Sequence, residues 1–131
     1  MTVINIEEKQ GTWFEMEGGG RVQLRTLTAD DLKAIRKATV KKRVEFKKVD
    51  GTPGRFEVEE TDEEKQNELF WDRVIVSWEN LFDGKGEAIP CTKENKMLLI
   101  MRSLKFSKFV GESLKVLQEQ EAELEEAREK N

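Results

Sequence analysis

The chain has 131 residues, 37% apolar and 38% charged, with a net charge of −4, so it is long enough for one domain with a buried core. The chain has no histidine, which is the commonest general base and the commonest metal ligand. Its single cysteine, Cys91, cannot form an internal disulfide. We therefore expect no enzyme activity, no cofactor and no metal site. The acidic balance disfavours nucleic-acid binding, and no segment resembles a signal peptide or a membrane span, which predicts a soluble protein.

The first 27 residues have the pattern of short β-strands. Residues 12–16 and 21–26 alternate between apolar and polar side chains, and the glycines at 18–20 suit a hairpin turn that needs positive φ angles. A phosphate-binding loop is the alternative interpretation of these glycines. No Gly-Lys-Ser/Thr sequence follows them, so a hairpin is favoured.

A helix and a second hairpin are predicted next. Thr28 precedes Asp30 and Asp31, an arrangement typical of a capped helix start. Residues 44–49 and 55–58 then alternate on either side of a turn rich in glycine and proline, which predicts two paired strands. The basic residues between 37 and 48 favour a solvated face paired with nearby acids, and a nucleic-acid contact is the weaker alternative.

A long helix is predicted from about residue 61, where Thr61 and Glu64 have the spacing of a capping box. Five apolar residues then recur at helical spacing: Trp71, Val74, Ile75, Trp78 and Phe82. We interpret this face as core rather than as a ligand site. Trp78 is expected to be buried against Met97, Ile100 or Met101.

A connector follows this helix, and we assign it a structural role. It comprises Trp78, Phe82, Asp83, Gly84, Gly86, Pro90 and Thr92. The glycines allow a turn, Pro90 fixes its exit and Thr92 can cap the next helix. A calcium loop is disfavoured because Lys85 occupies a ligand position and Ala88 replaces the required glycine.

The remainder of the chain predicts two more helices. One apolar stripe covers 97–104 and another covers 106–117, with a break near Ser103. Residues 118–131 carry six glutamates and little apolar surface, which predicts a charged helical or frayed tail beyond a domain of residues 1–117. The predicted fold is α+β, with short N-terminal β-hairpins packed on a mainly helical C-terminal part of three to four helices.

Residues 78–95, WENLFDGKGEAIPCTKEN, resemble a pattern found in tailed-bacteriophage tail assembly chaperones. In that family a tryptophan is followed by an acidic glycine turn, an apolar-proline pair and a Thr-x-Glu-Asn helix start. Residues 12–39 are also similar, including the Arg-x-Leu-Thr sequence at 25–28. The hairpin at 44–58 and the glutamate-rich tail depart from the family pattern.

The resemblance implies a chaperone that acts in the host cytoplasm, binds the tape-measure protein, and helps to recruit tail-tube subunits. An alternative is a structural tail or head–tail connector subunit of a phage particle. We expect neither membrane nor nucleic-acid partners. The sequence is compatible with a homo-oligomer. Excess apolar residues in the last two helices would form the partner groove, with Phe106, Phe109 and Val110 as its predicted lining.

Overall fold

A computed structural model describes residues 1–4, 6, 7 and 9–130 and confirms the α+β fold. The five strands are β1 (Thr12–Glu15), β2 (Arg21–Leu24), β3 (Val40–Val49), β4 (Thr52–Thr61) and β5 (Ile75–Glu79). The four helices are α1 (Ala29–Thr39), α2 (Glu63–Val74), α3 (Lys93–Arg102) and α4 (Leu104–Lys130). The chain divides into two compact units: Met1–Leu27 with Trp71–Asn131 form unit 1, and Thr28–Phe70 form unit 2.

Unit 1 contains a three-stranded antiparallel sheet in the order β1-β2-β5. The predicted first hairpin is confirmed, and its turn places Gly18 and Gly19 at φ angles of 97° and 96°. These angles lie in the region that only glycine adopts readily. The central strand β2 has hydrogen-bonded neighbours on both sides: β1, which directly precedes it, and β5, which follows only after the whole of unit 2.

The core of unit 1 lies between this sheet and α4, which contacts β2. Its members come from β2, the α2–β5 junction and the predicted fourth apolar stripe: Val22, Leu24, Val74, Ile75, Trp78, Phe106, Val110, Leu114 and Leu117. On α4 the buried positions recur every three or four residues, so one helical face packs inward. This face ends at Leu117, as the sequence predicts.

Strand β5 corrects the prediction that residues 61–82 form one continuous helix. The helix ends at Val74 and the chain pairs with β2 from Ile75. Leu24 pairs with Ile75 while Gln23 pairs with Ser77, so Val76 is an extra residue in a β-bulge. The bulge lets Ile75 and Trp78 both face the core although they are three residues apart. The helix-like spacing of these two residues therefore results from the β-bulge and not from a helix.

Helices α3 and α4 are separated at Ser103, which confirms the predicted break. The Ser103 amide donates to the carbonyl of Leu99 at 3.0 Å, and its hydroxyl oxygen accepts from the amide of Phe106 at 3.1 Å. Ser103 thus ends one helix and caps the next. Among the described residues, no helix has the length and apolar composition needed to cross a membrane.

The C-terminal part of α4 contacts the N-terminal segment of unit 1. The Thr26 hydroxyl donates to Glu121 Oε2 at 2.7 Å, and Lys9 Nζ lies 3.2 Å from the same oxygen and also contacts the Thr26 hydroxyl. Farther along, the amide of Val3 donates to Glu129 Oε1 at 3.3 Å. Residues 118–130 therefore continue α4 as a helix, and the N-terminal segment contacts it.

Unit 2 consists of α1, the β3–β4 hairpin and the first turns of α2. Thr28 caps α1 in a reciprocal capping box with Asp31, as predicted. The second hairpin is also confirmed, but its strands are ten residues each and its loop is only Asp50-Gly51. Both loop residues have positive φ angles, 53° and 79°, as a tight two-residue turn requires.

The cap of α2 differs from the prediction. Thr61 is the last residue of β4 and pairs with Val40, so its side chain does not cap the helix. Instead, Asp62 Oδ1 accepts from the amide of Lys65 at 3.1 Å, and the Asp62 amide donates to the carbonyl of Thr39 at 2.8 Å. The longer strand pairing moves the helix start by one residue.

Candidate functional site

The connector between β5 and α3 is a turn that binds its own backbone. Asp83 Oδ1 accepts from the amides of Lys85 at 2.9 Å and Glu87 at 3.0 Å, and Gly86, at φ 80°, donates to the Asp83 carbonyl at 3.1 Å. The Asp83 carboxylate is therefore used to close the turn rather than to hold a cation. In the described parts of the chain, no group of three or more acidic or cysteine side chains is placed to bind a metal.

The exit of the connector is fixed by Pro90 and Thr92. Thr92 Oγ1 accepts from the amide of Asn95 at 3.2 Å, and Asn95 Nδ2 donates to the carbonyl of Pro90 at 2.9 Å. The predicted helix cap at Thr92 is thus present, and Asn95 adds a second tie. Gly84 has no atom near the position of an added Cβ and lies at the open side of the turn.

Trp78 joins the connector to the core. Its indole Nε1 donates to the carbonyl of Ile89 at 2.7 Å, and its ring meets Phe106 edge-on at a centroid distance of 5.9 Å. Trp78 is buried, as predicted, and its aromatic neighbour Phe106 is on α4. The sheet, the connector and α4 are therefore fixed relative to one another around this side chain.

A partly buried ion pair connects α3 to α2. Lys96 is buried, and its Nζ lies 3.1 Å from both the Oδ1 and the backbone carbonyl oxygen of Asp72. These two oxygens replace part of the hydration that the ammonium loses on burial. This pair places α3 beside the connector.

Cys91 lies near this pair and is half-buried. Burial raises the pKa of its thiol, while the nearby charge of Lys96 and a hydrogen bond from the Trp78 backbone offset part of that rise. A thiol with a raised pKa carries little thiolate at neutral pH and is a poor nucleophile. The position is better suited to packing than to chemistry.

A shallow pocket of about 210 Å³ opens where the β1–β2 turn, the connector and the α3–α4 junction meet. Its lining comprises Met16, Glu17, Gly18, Gly20, Asn80, Leu81, Phe82, Ile89, Leu99, Ser103, Lys105 and Phe106. At Gly20 an added Cβ would lie 2.8 Å from a methyl group of Leu81, so a larger residue there would require the Leu81 side chain to move. The pocket is mostly apolar and suits an apolar side chain better than a polar metabolite.

Near this pocket, α3 and the first residue of α4 expose apolar side chains that we call the α3 surface: Leu98, Met101 and Leu104. They are 42%, 74% and 70% exposed, and Phe82 of the connector is 59% exposed. Leu98 and Met101 lie one turn apart on the same helical face, and Leu104 begins α4. An exposed apolar row of this kind is typical of a protein-binding surface.

The structure places the predicted groove residues mainly in the core. Val110 is fully buried, Phe109 is half-buried, and Phe106 is buried but contributes to the pocket wall. Around the α3–α4 junction, the exposed apolar side chains are instead those of Leu98, Met101 and Leu104. The signal for this was the run Met97-Leu98-Leu99-Ile100-Met101, since five consecutive apolar residues surround a helix and cannot all face one core.

Comparison with known proteins gives one family. A family model described as YdaY prophage protein matches residues 26–131. No curated protein and no solved structure matches the chain. The matched residues include the connector, the α3 surface and both units' helices.

Proposed function

Because the chain belongs to the YdaY prophage protein family, we propose that it is a phage tail assembly chaperone. In this role it binds the tape-measure protein in the host cytoplasm, helps to recruit tail-tube subunits, and performs no chemistry. Prophage origin and the likeness of residues 78–95 to tail assembly chaperones support the proposal.

The α3 surface is the observation that carries the proposal. Leu98, Met101 and Leu104 remain exposed although α4 provides a full apolar face for the core. Contiguous exposed apolar side chains mark protein-binding sites more often than single scattered ones do. A chaperone needs such a surface, because its client exposes apolar side chains of its own before assembly.

A helical client fits the spacing of this surface. Helices that dock in apolar grooves use side chains at positions i, i+3, i+4 and i+7. The α3 surface presents apolar residues at intervals of three, and the adjacent pocket can accept one apolar side chain from the client. The tape-measure protein, which the family resemblance names as client, is long and helical and is uncovered until the tube forms around it.

Charges near the α3 surface define the client further. Arg102, Lys105 and Lys108 are exposed at the α3–α4 junction. Opposite charges across an interface speed association and exclude wrong partners more than they add affinity. We therefore expect the bound segment to be an amphipathic helix with acidic residues beside its apolar face.

The test is co-expression with the tape-measure protein of the phage from which this chain derives. We expect the tail protein to be soluble only when co-expressed and to co-elute with this chain on sizing chromatography. Met101→Glu/Leu104→Glu should abolish the complex. Leu32→Glu, which adds a charge at a similarly exposed leucine of unit 2, is the matched control and should leave it intact.

Two results would contradict the proposal. One is a tail protein that is equally soluble with and without this chain and forms no complex with it. The other is a complex that survives Met101→Glu/Leu104→Glu, which would place binding elsewhere. If this chain alone assembles into rings or tubes, the alternative of a structural tail or head–tail connector subunit takes its place.

A further inference from the structure

The β3–β4 hairpin, residues 40–61, is an exposed arm. Its ten-residue strands pair along their full length, yet no described side chain in either strand is buried. Phe46 is 81% exposed, and three other apolar side chains of the arm are also exposed: Val44, Val49 and Phe56. Two-stranded ribbons are marginally stable in water unless another element covers them. The arm therefore has the properties of a surface that a partner completes.

One face near the end of the arm combines an aromatic ring with two basic groups. Phe46 pairs directly with Arg55, and Lys48 is two residues along the same strand, so all three side chains share a face. A concavity of about 440 Å³ is lined by these residues together with Lys47, Pro53 and Gly54. The face suits an apolar side chain flanked by carboxylates.

Helix α4 carries the complementary pattern. Glu112, Val116, Glu119 and Glu123 follow one another at intervals of three or four residues, which places them on one face. All four are exposed, and Val116 is an exposed apolar side chain between acidic neighbours. We call this set the acidic stripe.

We propose that the Phe46–Lys48–Arg55 face of the arm packs against the acidic stripe of a second copy of this chain. Phe46 would cover Val116, while Lys48 and Arg55 would meet the glutamates on either side. The contact joins two different surfaces and is used twice, reciprocally, between the same two copies, so it forms a closed dimer rather than a ring or a filament. Its site is separate from the α3 surface and does not depend on the chaperone role.

The experiment measures the mass of the full chain by sedimentation over a range of concentrations. We expect self-association at low salt that is weaker at about 1 M salt, where the screening length is about 3 Å. Lys48→Glu/Arg55→Glu should weaken association about a hundredfold, and so should Glu119→Lys/Glu123→Lys. An equimolar mixture of these two variants should form a complex of one copy of each, because their reversed charges are complementary.

The control is Lys33→Glu/Lys37→Glu, which reverses two exposed basic residues of α1 and should associate like the unmodified chain. Circular dichroism establishes that each variant is folded. The proposal is overturned by a monomer at every concentration, by reversal variants that associate normally, or by a mixture that stays monomeric. It is equally overturned if the unmodified chain is monomeric and binds a labelled DNA duplex through Lys48 and Arg55.

Discussion

The indole nitrogen of Trp78 donates to the backbone carbonyl of Ile89 across a distance of 2.7 Å. The two residues are eleven positions apart along the chain, and the Asp83–Glu87 turn of the connector lies between them. A side chain of the core thus holds the last residues of the connector before Pro90. The placement of α3, and with it the α3 surface, depends on this hydrogen bond and on the capped turn that follows.

Trp78→Ala should lower the free energy of unfolding by about 3–5 kcal/mol, because it removes a buried ring that packs on Phe106 and leaves a cavity. Trp78→Phe should cost less, since it keeps most of the apolar volume and loses mainly the hydrogen bond to Ile89. Denaturant titration measures both values. An unchanged midpoint for Trp78→Ala would contradict the role of this ring in the core.

Lys96→Ala should destabilise unit 1 by about 2–3 kcal/mol, because it leaves Asp72 without the buried ammonium. The expected value is below that of a fully buried pair since Asp72 is partly solvated. Replacement of both residues, as Lys96→Met/Asp72→Leu, should recover most of the loss. A double variant as unstable as the single one would show that the charges themselves are required.

Cys91 should react slowly with iodoacetamide in the folded chain at neutral pH and quickly in denaturant, because burial raises the pKa of its thiol. The same rise in pKa determines how the stability of the chain changes with pH. Above the unfolded thiol pKa of about 8.5, the unfolded chain loses its proton first, so stability should fall as the pH rises. Cys91→Ala should remove that part of the alkaline loss, and equal reactivity in both states would contradict the prediction.

Glu121→Gln should cost about 1 kcal/mol, because it weakens the contacts with Thr26 and Lys9 that hold the N-terminal segment to α4. Glu125→Gln, at an exposed position four residues along, is the matched control and should change stability by less than about 0.5 kcal/mol. Thermal unfolding followed by circular dichroism compares them. Equal midpoints for the two variants would mean that the Glu121 contacts contribute nothing.

Local patterns in the sequence were enough to predict both hairpins, the cap at Thr28, the cap at Thr92 and the break at Ser103. They failed at β5, because the spacing of Ile75 and Trp78 is common to a helix face and to a bulged strand. Only the need of β2 for a second neighbour distinguishes the two, and that need involves residues far apart in the sequence.

Only part of the candidate site could be predicted, because the exposed surface, like β5, depends on contacts between distant parts of the chain. Its connector residues have local roles, and their turn and cap chemistry is visible in the sequence. The exposed apolar side chains are Leu98, Met101 and Leu104 rather than Phe106 and Val110, because the sheet takes one face of α4 as its cover. Which of two apolar helices covers a sheet depends on the tertiary arrangement.

The sheet order β1-β2-β5 has a consequence for synthesis on the ribosome. Val22 and Leu24 emerge early, but their partners on β5 and α4 are made only after the whole of unit 2. At typical elongation rates the roughly 85 residues from Leu24 to Val110 take on the order of 4–17 s. During that interval the nascent β1–β2 hairpin shows an apolar face and an open edge, and it is then most exposed to aggregation or to capture by host chaperones.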